Sequence, residues 1–388
     1  LKIFKKKFFR VFNILILSFV FISEFTNFAF SETKIDNLKK YKAAILVEAE
    51  TGKVLNEFKS NEKMIPASIV KMMLLLLAYE AERKGTFSFD EKVHISLDAS
   101  RIGGSQVYLK EGEVFTLREL IKTVAISSAN DSAHAIAEHI AGDEKEMVKL
   151  MNERAKSLGM HNTKFSSVHG LPPKNSLREE DYTTAFDTAI LARELVKFSE
   201  VLNFSKRQID SFRDGKFVLY NTNRKLLKTF KGLDGLKTGY YTKSGYNLCA
   251  TARRGSMRLI SVVFGASNKK ARDRETKKLL LGGFRVYKKH SLFVKHQSVG
   301  EAIPVSWGRK DKIRAVTSEP ISLVIKRIRL KEFKTQFVLP KSLKAPLKRG
   351  QKIGVLNVMM NGNLIASTSL IVPEEIPAMG WIEWLMSK

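Results

Sequence analysis

The stretch that most restricts the fold of this chain runs from Ser68 to Arg83. Its segment Ile69-Val70-Lys71-Met72-Met73-Leu74-Leu75-Leu76-Leu77-Ala78 is apolar at every position but one. A helix that is apolar all round has no face for solvent, so it lies inside a domain and carries Lys71 there with it. Met64-Ile65-Pro66-Ala67 stops the chain just before, so Ser68 is expected to open the helix. Lys71 follows one turn later, close enough for its amine to reach back to the Ser68 hydroxyl. Burial disfavours an ammonium, which lowers its pKa and makes the amine a base. The hydroxyl in turn sits at the positive end of the helix macrodipole, where an oxyanion is stabilised.

Two more short motifs follow in order. Ser128-Ala129-Asn130 lies between helical patterns over Leu117 to Ala125 and Asp131 to Ala141. Lys237-Thr238-Gly239 lies in a strand pattern over Leu236 to Thr242 that turns into a second strand over Tyr246 to Ala252. Each motif alone is cheap. Their order and their settings are not: a serine opening a buried helix, S-x-N at the head of another, and K-T-G on a strand before a hairpin. That set marks penicillin-binding proteins and class A β-lactamases.

The likeness extends beyond the motifs. It takes in Pro66-Ala67-Ser68, Gly103-Gly104-Ser105 through Tyr108-Leu109, and Met151-Asn152 to Leu158-Gly159-Met160. It continues through Val168-His169-Gly170-Leu171, Asp234-Gly235-Leu236 ahead of the third motif, and Ser244-Gly245-Tyr246-Asn247-Leu248. Ser342 to Pro346, Gly350 to Gly354 and Pro373 to Pro377 carry it into the C-terminal part. The chain resembles the low-molecular-mass penicillin-binding proteins that are serine-type D-alanyl-D-alanine carboxypeptidases with a C-terminal β-rich domain.

That resemblance implies a set of roles. Ser68 is the acyl-ester nucleophile, Lys71 its general base, and Ser128 a proton relay between Lys71 and the leaving amine. Asn130 bonds the substrate backbone. Lys237 and Thr238, followed by Gly239, grip the terminal carboxylate, and Lys237 also holds Ser128. The N–H groups of Ser68 and Tyr240 form an oxyanion hole. Arg272 falls where the family often has a carboxylate-binding arginine, with Arg274 as a near neighbour. Some members carry His where this chain has Tyr240. The implied substrate is a peptidoglycan stem peptide, β-lactams are the implied covalent inhibitors, and no cofactor is implied.

A first block of strands (Ala43 to Val47, then Val54-Leu55), a helical middle and late strands imply an α/β (α+β) domain. It is expected to be an antiparallel sheet flanked by helices, over residues 32–289. Further helices are expected over Glu144 to Leu158, Thr183 to Phe198 and Thr276 to Tyr287. From His290 the texture changes to short strand-like runs over Ile321 to Ile328, Thr335 to Leu339, Lys352 to Val358 and Leu364 to Val372. Asn361-Gly362 supplies a hairpin turn between the last two. Residues 290–373 are therefore expected to form a small all-β, sandwich-like domain.

The amino end reads as a secretory signal over 1–31: Lys5-Lys6-Lys7 and Arg10, an apolar core from Val11 to Ile22, and Ala29-Phe30-Ser31 before the cut. Its apolar core is shorter than the ~20 residues a helix needs to cross a bilayer. The net charge of +28 favours an anionic partner, either cell wall or acidic lipid. No nucleic-acid-binding signature organises those charges, so nucleic acid is not expected as a partner. In the tail, 374–388, Trp381, Trp384 and Leu385 recur at helical spacing, which suits the lipid–water interface. An exported, periplasmic enzyme held peripherally on the outer face of the inner membrane is expected. Cys249 stands alone in an apolar run and reads as a buried hydrophobe. The seven histidines form no metal-binding pattern, so no metal is expected.

Three other functions compete. A β-lactamase of this fold needs a deacylating carboxylate, and Glu179 and Glu180 lack the usual E-x-x-L-N setting. A D,D-endopeptidase shares all three motifs but usually lacks the extra domain. A non-catalytic wall protein has no reason to keep Ser68, Lys71, Ser128 and Lys237 together.

Overall fold

The computed structural model describes residues 40–173, 178–327 and 333–386, so the expected signal segment lies outside the described residues. Five strands form the central sheet: β1 (Ala43–Glu48), β2 (Val54–Phe58), β3 (Leu233–Tyr241), β4 (Gly245–Arg254) and β5 (Met257–Ala266). They are antiparallel neighbours in the order β2-β1-β5-β4-β3, so the first strand closes against the last. Every residue of β1 is buried. Alternate side chains explain why. Ile45 and Val47 join the large core on the helical side, and Leu46 joins Leu280 and Phe284 on the other. Side chains alternate across a strand, so a strand buried throughout needs cover on both faces.

The helical side is built from α1 (Lys71–Arg83), α2 (Leu117–Ile126), α3 (Asn130–Ala141), α4 (Glu144–Ser157) and α5 (Ala185–Leu195). The opposite face is covered by α6 (Lys269–Val286). Met72, Met73, Leu74 and Leu76 of α1 are all fully buried, as its composition demands.

Three expectations shift. Ser68 does not open α1. It sits in a 3-10 turn, Ala67–Val70, and the α-helix begins at Lys71. Ala67 is left-handed at φ +50°, a conformation that an ordinary helix start does not use. Likewise α5 starts at Ala185, because the Thr184 hydroxyl caps it by accepting from the Asp187 N–H. Finally, α6 starts at Lys269 rather than Thr276, capped by Asn268. The charged run Lys269 to Glu275 had hidden its periodicity.

The second domain contains β6 (Tyr287–Phe293), β7 (Ser298–Ser306), β8 (Lys312–Thr317) and β9 (Ile321–Lys326). It continues with β10 (Phe333–Val338), β11 (Leu343–Lys344), β12 (Lys352–Met360) and β13 (Asn363–Ile371). Strands β6 and β9 pair, and the other six form a sheet in the order β10-β12-β13-β8-β7-β11. Asn361 and Gly362 both have positive φ, +51° and +80°, as a two-residue hairpin turn requires. Strands β7 and β8 were not legible, because Gly300, Pro304 and the charged ends of Lys312–Thr317 blur the alternation. The short helix α7 (Trp381–Met386) follows a segment stitched onto this domain by the Leu347–Ile376 and Gly308–Ala378 bridges.

Candidate active site

Three pieces of backbone converge on one cleft: the turn holding Ser68, the α2–α3 connection holding Ser128, and β3 holding Lys237. Lys71 Nζ donates to Ser68 Oγ at 2.8 Å and to the His169 carbonyl at 2.7 Å. Lys237 Nζ donates to Ser128 Oγ at 2.7 Å and to the Thr238 carbonyl at 3.1 Å. Each serine therefore has its own buried amine. Burial pushes the Lys71 pKa well below its ordinary value, and the Lys237 charge pushes the same way against the pull of Asp181 and Asp131. Burial, with Arg272 behind it, brings Lys237 down to about 7. An amine next to a serine, with its ammonium form disfavoured, is chemically a base poised on a hydroxyl.

Two glycines make this approach possible. A Cβ on Gly239 would run into the Pro66 carbonyl oxygen and crowd Ile69 and Ala67. Strand β3 thereby lies flush on the turn that carries Ser68, which is a physical reason for glycine as the third residue of Lys237-Thr238-Gly239. Gly170, at φ +77°, has no room either, because the Ala67 carbonyl fills the space. It brings the His169 carbonyl onto Lys71 from the other side. Asn247 completes the clamp. Its Nδ2 donates to the Ile65 and Pro66 carbonyls, and its Oδ1 accepts from the Gly265 N–H.

Ser128 has φ +68° and belongs to the connection between helices, so it is not a helix cap. Asn130 is the first residue of α3, donating its N–H to the Ser105 carbonyl and its Nδ2 to the Gly103 carbonyl, both at 2.7 Å. Its Oδ1 is buried without a partner, an open acceptor at the cleft. The Asp131 carboxylate accepts from the Val107 and Leu109 N–H groups. The Gly103–Leu109 segment is thus a wall pinned to the second motif. Thr238 donates to the Thr222 hydroxyl at 2.8 Å. Nothing in the sequence had singled out Thr222, a polar residue in a loop.

Tyr240 is about half-exposed and stacks on Tyr246 with ring centroids 4.1 Å apart. Arg272 is buried in the first turn of α6, its guanidinium held by Asp273, whereas Arg274 is exposed and pairs with Glu275. Of the two, Arg272 is the one whose charge reaches Lys237. Strand β3 is the sheet edge, which leaves main-chain groups along the cleft without a strand partner. His169 contributes its main chain. Its ring is neutral, with a pKa brought down to about 3 by burial against the opposing pull of Glu144. Cys249 is fully buried and burial raises its pKa, so it is an inert core residue.

Residues 31–268 match the family model described as D-alanyl-D-alanine carboxypeptidase, and 287–378 match the penicillin-binding protein 5 C-terminal domain. The chain belongs to the D-alanyl-D-alanine carboxypeptidase family. It is 40% identical over 348 residues to D-alanyl-D-alanine carboxypeptidase DacF of Bacillus subtilis, spanning 89% of this chain and 88% of that one. Penicillin-binding protein 5 of Haemophilus influenzae has the same fold, with a TM-score of 0.75 and 30% identity over 87% of this chain and 98% of that one. The ampicillin-bound form of penicillin-binding protein D2 from Listeria monocytogenes superposes with a TM-score of 0.58. It is 32% identical and covers 63% of this chain and 98% of its own. This chain is accordingly a serine-type carboxypeptidase, with the antiparallel sheet, flanking helices and additional β domain expected of one.

Proposed function

We propose that Ser68 Oγ attacks the carbonyl carbon of the penultimate D-Ala in a peptidoglycan stem pentapeptide while Lys71 takes the hydroxyl proton. Ser128, held by Lys237, passes a proton to the departing nitrogen; the C–N bond breaks, D-Ala leaves, and an ester on Ser68 remains. Water then hydrolyses that ester and returns the proton to the serine. Lys237, Thr238 and Arg272 take the terminal carboxylate, Asn130 takes the substrate backbone, and the N–H groups of Ser68 and Tyr240 take the oxyanion. The observation that carries this reading is the 2.8 Å contact between a fully buried Lys71 amine and Ser68 Oγ.

β-Lactams are expected to acylate the same serine, a reading supported by the ampicillin-bound relative. Ser68→Ala tests both parts. It should abolish D-Ala release from a stem pentapeptide and labelling by a fluorescent penicillin. Persistent D-Ala release would overturn the assignment. The β-lactamase reading loses its acids: Glu179 pairs with Lys164, and Glu180 is bonded to Tyr241 and Lys243. An endopeptidase needs room beyond the penultimate residue, and the cationic Lys237–Arg272 end favours a free carboxylate instead.

The same proposal includes export to the periplasm and peripheral attachment through the tail. It is supported by the basic, apolar segment 1–31, the net charge of +28, and the exposure of Trp381 (71%) and Met386 (86%) on α7. Among the described residues no helix is long and apolar enough to cross a membrane. The β domain holds the tail only as far as Met379, whose N–H donates to the Trp307 carbonyl, with one exposed ion pair beyond it, Arg309–Glu383. Truncation after Pro377 should release the enzyme from membrane fractions; unchanged fractionation would refute attachment through this tail.

A further inference from the structure

Behind Lys71 lies a run of titratable side chains that the mechanism above does not use. The Lys71 amine rests on the His169 carbonyl. The peptide segment bearing that carbonyl is gripped by one carboxylate. Glu144, the first residue of α4, accepts from the Val168 N–H at 3.2 Å and lies 3.5 Å from His169 Nε2 through the same oxygen. The second oxygen of Glu144 lies 3.4 Å from Nδ1 of His134 on α3. That contact is out of line for a hydrogen bond, so it counts as a charge pair. On its other side His134 Nε2 is 3.3 Å from Glu138, whose carboxylate accepts from the Ser96 hydroxyl. His134 is 8% exposed and His169 4%.

The charges around His134 are therefore lopsided. Its own helix supplies Glu138, α4 supplies Glu144, and the short helix Leu97–Ser100 supplies Asp98. The neighbouring His169 ring is neutral. Burial disfavours an imidazolium here, but the carboxylates outweigh it and raise the His134 pKa. Glu144 is correspondingly held at about 2: burial works against this, and the two histidines and the Val168 N–H prevail.

We propose that protonated His134 is a positioning residue for acylation. Its ion pair fixes Glu144, Glu144 fixes the Val168–His169 segment, and the His169 carbonyl holds the Lys71 amine against Ser68. The proposal rests on Lys71 acting as the base, and its failure is separable, because Ser68→Ala abolishes D-Ala release at every pH. The sign follows from the raised pKa. The imidazolium is present at low pH and is lost as pH rises through its value in the folded protein, which loosens the carbonyl. Deprotonation of Lys71 acts in the opposite direction.

The test is the pH profile of kcat/KM for D-Ala release from an N-acylated tripeptide ending in D-Ala-D-Ala. It is measured on the wild type, His134→Gln, Glu144→Gln and the double variant, with thermal melts alongside. Each single variant should lower kcat/KM by about three- to thirtyfold at pH 6 and erase the downward step attributed to His134. The double variant should be no slower than the slower single one, because both act through one carbonyl. Should His134→Gln melt early, Glu144→Gln reads the same step, since its amide oxygen still accepts from Val168. A step that persists in Glu144→Gln, or losses that multiply in the double variant, would overturn the proposal.

Discussion

In the catalytic domain Lys71, Lys237, Arg272, Asp131, Asp181 and His169 lie at 0–4% exposure, whereas the β domain buries only Thr317 and Thr368 among its described polar residues. Both threonines are satisfied, donating to the Val294 and Glu319 carbonyls. The cations of the β domain stay outside, where Lys295 meets Glu319 and Lys310 meets Glu374 on the surface. Burying a charge costs several kcal/mol unless it is paired. The catalytic domain bears that cost at its cleft, and there Lys71 and Lys237 face hydroxyls and carbonyls with no carboxylate in contact. Their pKa values fall as a result, and falling pKa is what the chemistry needs. One domain spends stability on reactivity; the other is a conventional apolar core.

This contrast can be broken, and the largest effect should come from Lys71→Met. Removing the amine should lower D-Ala release by at least about 10³-fold while leaving the melting temperature equal or higher, since an apolar isostere relieves a buried charge. Turnover assays and calorimetry on one preparation check both halves. A melting temperature that dropped along with activity would erase the distinction between the domains. The complementary change, Leu356→Ala in the β-domain core, should cost about 2–5 kcal/mol in a denaturant melt and leave kcat/KM of the folded enzyme unchanged.

A smaller effect concerns pH. Lys237 titrates near 7 in the folded protein and near ~10.4 once unfolded. Between those values the unfolded chain binds the extra proton, so this site makes stability rise with pH across that window and level off outside it. Comparing denaturant melts of wild type and Lys237→Met at pH 7 and pH 9.5 should show part of that slope disappear in the variant. Smallest of all should be Arg309→Ala, which breaks the Arg309–Glu383 pair. Both partners are exposed, so the stability change should stay within about 0.5 kcal/mol. A larger loss would mean the outer charges of the β domain hold it together after all.

Much of this architecture was legible beforehand. The continuous apolar run of α1, the hairpin at Asn361-Gly362 and the late strands β3 to β5 all carry strong local signals, and the structure forms them. The pairs Ser68–Lys71 and Ser128–Lys237 were legible too, the first from helical spacing and the second through family resemblance. What escaped was set by neighbours. Ser68 lies in a 3-10 turn because Gly170 and Gly239 pack backbone against Ala67 and Pro66, more than a hundred residues away in sequence. Thr222 and the His169 carbonyl had no signal, since a loop hydroxyl and a main-chain oxygen look alike everywhere. His134 and Glu144 looked like ordinary helix residues, and only the crossing of α3 and α4 makes them partners.

Side-chain chemistry and local periodicity, which a chain carries in its own order of residues, were enough to specify a buried amine beside a hydroxyl, a sheet covered on both faces and a second, all-β unit. Tertiary structure alone decided which distant backbone atoms press on that amine, how far its proton affinity falls and which charges stand behind it. Proximity between remote segments is a property of the packed fold, and electrostatic energies depend on that proximity.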